Sequence, residues 1–173
     1  MTQVFNELDY RLSVVPRWTI LSTIQKQSVA EHCFNVERIA RQIAEHWFMI
    51  IGVADLALIS QLALHHDDDE ALTSDIPSTA KRDLFSEKYL DKHRALWYNR
   101  DTMERRIVKL ADYMESFWFL SMEVAMGNKY ITEHRNAIGL QMLEYAKEFG
   151  EEVVHRLHSW AVTTKEMRSQ RYD

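Results

Sequence analysis

Apolar residues recur at helical spacing through most of this chain, and little interrupts them. One such stripe carries Val29, Val36, Ile39, Ile43 and Trp47. Only four glycines and two prolines punctuate 173 residues. No run alternates with the period of two that a half-buried strand needs, and no hairpin turn stands out. The pattern predicts an all-α bundle. Helices are expected over about 3–14, from Ser28 to Gly52, and over about 53–69, 100–126, 129–148 and 150–168. Ser28 with Glu31 three residues on reads as a capping box. Residues 16–27, after Pro16, read as an extended connector. "LTSDIPSTAKRD" (72–83) reads as a polar loop, and Gly127-Asn128 as a turn. There is no internal repeat and no linker, so residues 1–173 are expected to form a single domain.

Charge and cysteine usage narrow the function. A net charge of −5 argues against a protein that coats nucleic acid or an anionic membrane, so an anionic ligand would need a local basic site. Cys33 is the only cysteine, which rules out an intrachain disulfide and suits a reducing compartment. The first residues lack a signal-peptide pattern, and the most apolar run, "WFMIIGVADLALI" (47–59), is too short to span a bilayer. The expectation is a cytoplasmic protein, in the host cytoplasm if phage-encoded, with no membrane and no nucleic-acid partner.

Within "HHDDDE" (65–70), two histidines and four carboxylates close what looks like a buried helix. Taken alone, this is a solvated acidic helix end. His32 lies on the stripe of Val29, Val36 and Ile39 and points inward; alone, it reads as a hydrogen-bonded core histidine. Asp112 stands inside the apolar helix "IVKLADYMESFWFL" (107–120), where a lone buried carboxylate is costly unless an Arg, a Lys or a metal answers it. Together His32, His66, Asp67 and Asp112 supply two imidazoles and two carboxylates. That donor set suits a borderline divalent ion such as Zn, Mn, Fe or Co, with positions open for water and substrate. No thiolate belongs to it, which excludes a structural Cys-type zinc site.

The order H…HD…D resembles the signature of the HD-domain phosphohydrolases. The surrounding text is more specific than the dipeptide. "RW" at 17–18, "SVAEH" at 28–32, "HHDDDEALTSDIPSTAK" at 65–81 and "VKLAD" at 108–112 resemble the bacterial 5′-deoxynucleotidases and the small phage dATP triphosphohydrolases. The resemblance covers about residues 15–115. It implies an HD-domain helical bundle with a central metal site, loaded with Zn, Co or Mn and with Mg as an optional second ion. It also implies a deoxynucleotide substrate and a homo-oligomer, dimer or larger.

The resemblance gives Glu70 the role of orienting or deprotonating the attacking water. Glu70 shares a face with Asp67 if the helix continues. Asp68 and Asp69 read as solvated, and His65 takes no role. Arg17 and Trp18 read either as core packing or as a phosphate clamp beside a base-stacking platform, and the resemblance favours the second. Ile20 would lie on the same side as Trp18 in extended chain, completing a W-x-I slot like that of the phage enzymes. Asp75, Pro77, Thr79 and Lys81 come from the following loop and are candidate sugar or phosphate contacts. Lys109 is either the salt-bridge partner of Asp112 or a further phosphate contact. The implied reaction is hydrolysis of dATP to deoxyadenosine and triphosphate. A 5′-deoxynucleotidase is the alternative, and a catalytically silent nucleotide-binding regulator stays open beside it.

Overall fold

The computed structural model describes residues 7–47, 54–86 and 101–169. Expectations that fall on Gly52 and on the ends of the helices expected to begin near residues 3 and 100 lie outside these. The chain divides into two compact units, Met1–Glu115 and Ser116–Asp173. Among the described residues there is no strand; one isolated antiparallel bridge joins Pro16 and Ser28.

The first unit holds α1 (Glu7–Leu12), α2 (Val29–Trp47), α3 (Leu56–His65), α4 (Glu70–Thr73), α5 (Ser78–Leu84) and the first half of α6 (Met103–Ala125). The capping box starts α2 as expected. The Ser28 N–H donates to Glu31 Oε2 at 2.7 Å, and the Glu31 N–H donates to Ser28 Oγ at 3.2 Å. From there Val29, His32, Cys33, Val36, Ala40, Ile43 and Ala44 recur every three or four residues and are all buried. The α3 helix starts on Asp55, whose Oδ1 accepts from the N–H groups of Ala57 and Leu58 at 2.9 and 3.1 Å. It packs on α2 through Ile59, Leu62 and Ala63. Ile107, Val108, Leu110, Ala111 and Met114 bury the facing stripe of α6. Full burial of each large aliphatic side chain contributes about 1.5–3 kcal/mol.

Two sequence expectations need correction in this unit. The helix expected over 53–69 stops at His65. The chain then turns through residues 66–69 on three-residue hydrogen bonds such as Glu70 N–H to Asp67 O, 2.9 Å, before α4 begins. The expected loop at 72–83 contains α5. Pro77 stands immediately ahead of Ser78 with φ −51°, a value preset by its ring and compatible with the start of a helix.

The second unit holds the rest of α6, then α7 (Thr132–Ala146) and α8 (Glu151–Ser169). The expected turn at Gly127-Asn128 is present. Gly127 takes φ +100°, a conformation that needs no Cβ. The turn is closed by Asn128, whose N–H reaches Glu123 O and whose Nδ2 reaches Glu123 Oε2, both at 3.0 Å. Gly139 permits close approach: a Cβ there would lie 2.9 Å from the Phe117 ring.

Candidate metal centre

The end of α3, the middle of α6 and the first turn of α2 bring four donor groups together. His32 Nε2 lies 3.2 Å from His66 Nε2, 3.3 Å from Asp112 Oδ1 and 3.7 Å from Asp67 Oδ2. His66 Nε2 lies 3.3 Å from Asp67 Oδ2. His32 is fully buried and His66 nearly so.

The opposite ring nitrogens are both engaged. His32 Nδ1 meets Glu115 Oε2 at 2.7 Å, and His66 Nδ1 meets the Ala63 carbonyl at 2.7 Å. Both partners are pure acceptors, so both Nδ1 atoms carry the proton and both Nε2 lone pairs face the same point. Two lone pairs and two carboxylates so close repel one another unless a cation sits among them. His32 Nε2, His66 Nε2 and an Asp112 oxygen lie within 4.8 Å of one another, close enough to share one ion. The donor set fits a divalent metal ion.

The electrostatics agree. Burial and the Arg17 guanidinium both oppose a charge on His32, yet Glu115 and Asp112 outweigh them and push its pKa up to about 9. That shift favours a protonated His32 while no metal is bound. Burial alone would raise the carboxyls of Asp67 and Asp112, but the neighbouring imidazoles and cationic side chains outweigh it. His66, His32 and Arg17 hold Asp67 low, and Lys109 with His32 holds Asp112 well below the usual carboxylate range. Both carboxylates are therefore ready as ligands without losing a proton first.

Glu70 opens α4 one turn past Asp67 and is buried. Its Oε1 accepts from Lys81 Nζ at 2.7 Å, while Oε2 is buried with no hydrogen-bond partner among the described residues. Burial and the Asp67 charge push its pKa up to about 8 against the opposing pull of Lys81. A carboxylate with one oxygen pinned and the other uncommitted can accept and return a proton near neutral pH.

The other expected residues fall as follows. Arg17 NH1 is 3.5 Å from Asp67 Oδ2, and its guanidinium lies 5.1 Å from the centre of the Trp18 ring. Trp18 has φ 60°, unusual for a bulky residue, and donates its N–H to Asp75 Oδ2. Residues 18–21 form a turn, closed by Leu21 N–H to Trp18 O at 2.9 Å, instead of the expected extended chain, and Ile20 is exposed. Asp75 anchors this turn through its carbonyl as well, which accepts from Thr19 Oγ1 at 2.6 Å. Pro77 is exposed; Thr79 lies in α5, and its side chain is outside the described residues. Lys109 Nζ meets Asp112 Oδ2 at 2.7 Å, the salt bridge that was one of its two readings. Lys81 is buried, not loop-exposed, with Nζ on Glu70 and on Asp69 Oδ2 at 3.1 Å. Asp69 is completely buried, which corrects its reading as solvated. His65 Nδ1 pairs with Asp68 Oδ2 at 2.9 Å, away from the four donors' contacts.

Three participants were missed in the sequence. Glu115 orients His32, and Gln27 and Asn35 in turn donate to Glu115 Oε1. Glu115 is three residues past Asp112 in the same apolar helix, and that spacing was the one available signal. Cys33 has its sulfur within 4.8 Å of donor atoms of His66 and Asp67, but burial and Asp67 push its thiol well above the ordinary range, so it stays protonated.

Known structures share this architecture. The chain aligns with the cyanophage S-2L HD phosphohydrolase DatZ, solved bound to dA and one catalytic Zn2+ ion, with a TM-score of 0.73 and 20% identity over 96% of this chain and 99% of that one. An HD-domain phosphohydrolase from Listeria innocua aligns with a TM-score of 0.69 and 21% identity, over 86% of this chain and 81% of that one. The chain has the all-α fold of the HD-domain phosphohydrolases.

Within that class the resemblance is also one of sequence. A family described as 5′-deoxynucleotidase YfbR-like matches residues 4–86. A dATP triphosphohydrolase of Salmonella phage PMBT28 is 29% identical over 80% of this chain and 76% of its own length. A 5′-deoxynucleotidase of Vibrio cholerae is 23% identical over 87% of this chain and 89% of its own. No helix among the described residues is long and apolar enough to cross a membrane.

Proposed function

We propose that this chain is a metal-dependent phosphohydrolase of deoxynucleotides, and that its reaction is hydrolysis of dATP to deoxyadenosine and triphosphate. One observation carries this reading: two buried imidazole lone pairs and two carboxylates converge beside a glutamate with one uncommitted oxygen. His32, His66, Asp67 and Asp112 would hold the ion, which we take to be Zn, Co or Mn, with Mg as an optional second. When bound, such an ion supplies Lewis acidity toward a phosphoryl oxygen and acidifies water.

The chain's own residues do the rest. Water adds to the α-phosphorus and the bond from that phosphorus to the 5′-oxygen breaks. Glu70 takes a proton from the water, and a proton returns to the leaving 5′-oxygen of deoxyadenosine. Lys81 holds Glu70 in place. Trp18 offers an apolar face for a purine, and its ring is steadied by Arg17. Arg17 and Lys109 stand next to Asp67 and Asp112, where a phosphate chain would lie; Lys81 reaches a phosphate only by leaving its carboxylate partners. Asp75, Pro77 and Thr79 border the sugar and phosphates. The similarity to the dATP triphosphohydrolase of Salmonella phage PMBT28 supports the triphosphate as substrate. Residues 1–173 act as one HD domain, in the cytoplasm, and assemble as a homo-oligomer.

The match to the YfbR-like family and the relatives named 5′-deoxynucleotidase support a second reading, cleavage of deoxynucleoside monophosphates at the same bond. A panel of deoxy- and ribonucleoside mono- and triphosphates, incubated with Co or Mn and resolved chromatographically, separates the two. The expected products from dATP are deoxyadenosine and triphosphate, with ATP poorer. Faster cleavage of dAMP than of dATP would transfer the chain to the second reading. No turnover with any metal would leave a nucleotide-binding regulator.

A further inference from the structure

The Trp18 turn and the buried His32 are joined by a continuous set of side-chain hydrogen bonds. The Trp18 indole N–H donates to Gln27 Oε1 at 3.3 Å. The amide of Gln27 then donates through Nε2 to Glu115 Oε1 at 2.5 Å. The second oxygen of Glu115 meets His32 Nδ1 at 2.7 Å, and His32 Nε2 is one of the four converging donors. Gln27, His32 and Glu115 are all buried. The orientation of the Gln27 amide follows from its neighbours: an N–H donor on one side requires the carbonyl oxygen, and a carboxylate on the other requires the NH2. Gln27 is also fixed by its backbone, whose carbonyl accepts the Arg17 N–H at 2.8 Å. Neither Gln27 nor Glu115 is needed to bond substrate or metal, yet a buried carboxylate and a buried amide are kept here.

We propose that Gln27 is a positioning residue that couples the Trp18 platform to the metal centre, by holding the Glu115 carboxylate that fixes His32. The inference rests on the metal-dependent reading above. Its physical content is that Glu115 supports His32 best when its other oxygen is held by Gln27. Gln27, in turn, presents its NH2 to Glu115 best when its carbonyl oxygen is held by the indole. Partners one bond beyond a metal-ligating histidine commonly affect affinity about 10–100-fold. Asn35 Nδ2 also reaches Glu115 Oε1, at 3.3 Å, so loss of Gln27 removes part of that support and not all of it.

The test titrates Co2+ into chelator-treated protein without nucleotide, read by the visible bands of the bound ion, with thermal unfolding of the metal-free protein measured alongside. Gln27→Leu keeps the volume and removes both hydrogen bonds; it should weaken Co2+ binding by about tenfold. Trp18→Phe keeps a ring and removes only the indole N–H; it should weaken Co2+ binding by about fivefold, the low end of site-to-site coupling. In the double variant the Trp18 change should add nothing, because its route through Gln27 is already cut. Wild-type affinity in Gln27→Leu, or equal and additive effects of the two changes, would overturn the coupling while leaving the metal centre standing. Should Gln27→Leu fail to fold, Trp18→Phe decides alone, since wild-type affinity there removes the link at its first bond. A wild-type chain that binds no Co2+ would overturn the metal-dependent reading and this inference with it.

Discussion

Two glutamates of α6, Glu115 and Glu123, are eight residues apart on one helix, and both are buried. Their surroundings in the sequence are alike, apolar with scattered serines and aromatics. Their roles differ completely. Glu123 serves its own end of the helix: its carbonyl and carboxylate both receive Asn128, closing the turn at Gly127. Glu115 serves residues more than eighty positions away, Gln27 and His32. The same contrast holds across the two units. Among described residues the first unit buries His32, His66, Asp69, Glu70, Lys81, Glu104 and Glu115, and all but Glu104, which accepts the Asp55 N–H, belong to the connected site. The second buries Ser116, Ser121, Glu123 and Asn128, of which one is ionisable. Buried charge that closes a local turn contributes to folding. Buried charge that converges on one point is retained for what it binds.

The largest expected effect breaks the first unit's function and leaves the second unit untouched. Asp67→Ala should abolish hydrolysis and metal binding with the helical circular dichroism retained. Activity above a few per cent of wild type would mean that Asp67 is not a ligand.

Glu70→Gln comes next. It should keep the metal and lose about 10²–10⁴ in kcat, the usual contribution of a group that moves a proton. It should also reveal a conflict with stability. The folded-state pKa of Glu70 is raised from 4.5 to about 8, so its favourable contribution is complete below 4.5 and is lost as pH rises through 8. The amide has no such loss. The variant's Tm relative to wild type should therefore rise between pH 5 and 8; a difference that is flat with pH would refute the buried, proton-retaining carboxyl.

The paired glutamates give the sharpest contrast and the smallest effects. Glu115→Gln should weaken metal affinity about 10–100-fold. Glu123→Gln should leave metal affinity unchanged and cost about 1–3 kcal/mol of stability in thermal or urea unfolding. Equal metal affinities in the two variants would erase the distinction drawn between them.

What was legible in the sequence was whatever announces itself over a few residues. His32 follows a helical stripe, Asp112 interrupts an apolar helix, and His66-Asp67 sits where a helix ends. The Ser28–Glu31 box fixes the start of α2 by local hydrogen bonds, and it formed as read. The expectations that missed depended on partners far along the chain. Asp69 looked solvated because nothing local could neutralise it; Lys81, twelve residues on, does so. Lys81 looked like a loop cation because the Ser, Asp, Pro and Thr of 72–83 read as a polar loop, whereas α5 begins directly after Pro77. Glu115 offered only its spacing from Asp112, and Gln27 gave no sign, since a Gln in a connector acquires meaning only from its partners. Trp18 and Ile20 were read as extended chain, and the positive φ of Trp18 has no signature in the residue type.

The central claim is that the convergence of His32, His66, Asp67 and Asp112 demands a cation, and that a protonated His32 is favoured while no metal is bound. His32 has its pKa raised from 6.5 to about 9, so its contribution to stability is complete below 6.5 and is lost as pH rises through 9. Metal must displace that proton. Calorimetric titration of Zn2+ into chelator-treated protein at pH 7.5, repeated in buffers of different ionisation enthalpy, counts the protons released. The account predicts one ion per chain and about one proton released as it binds. Binding with no proton release, or no binding at all, would contradict it.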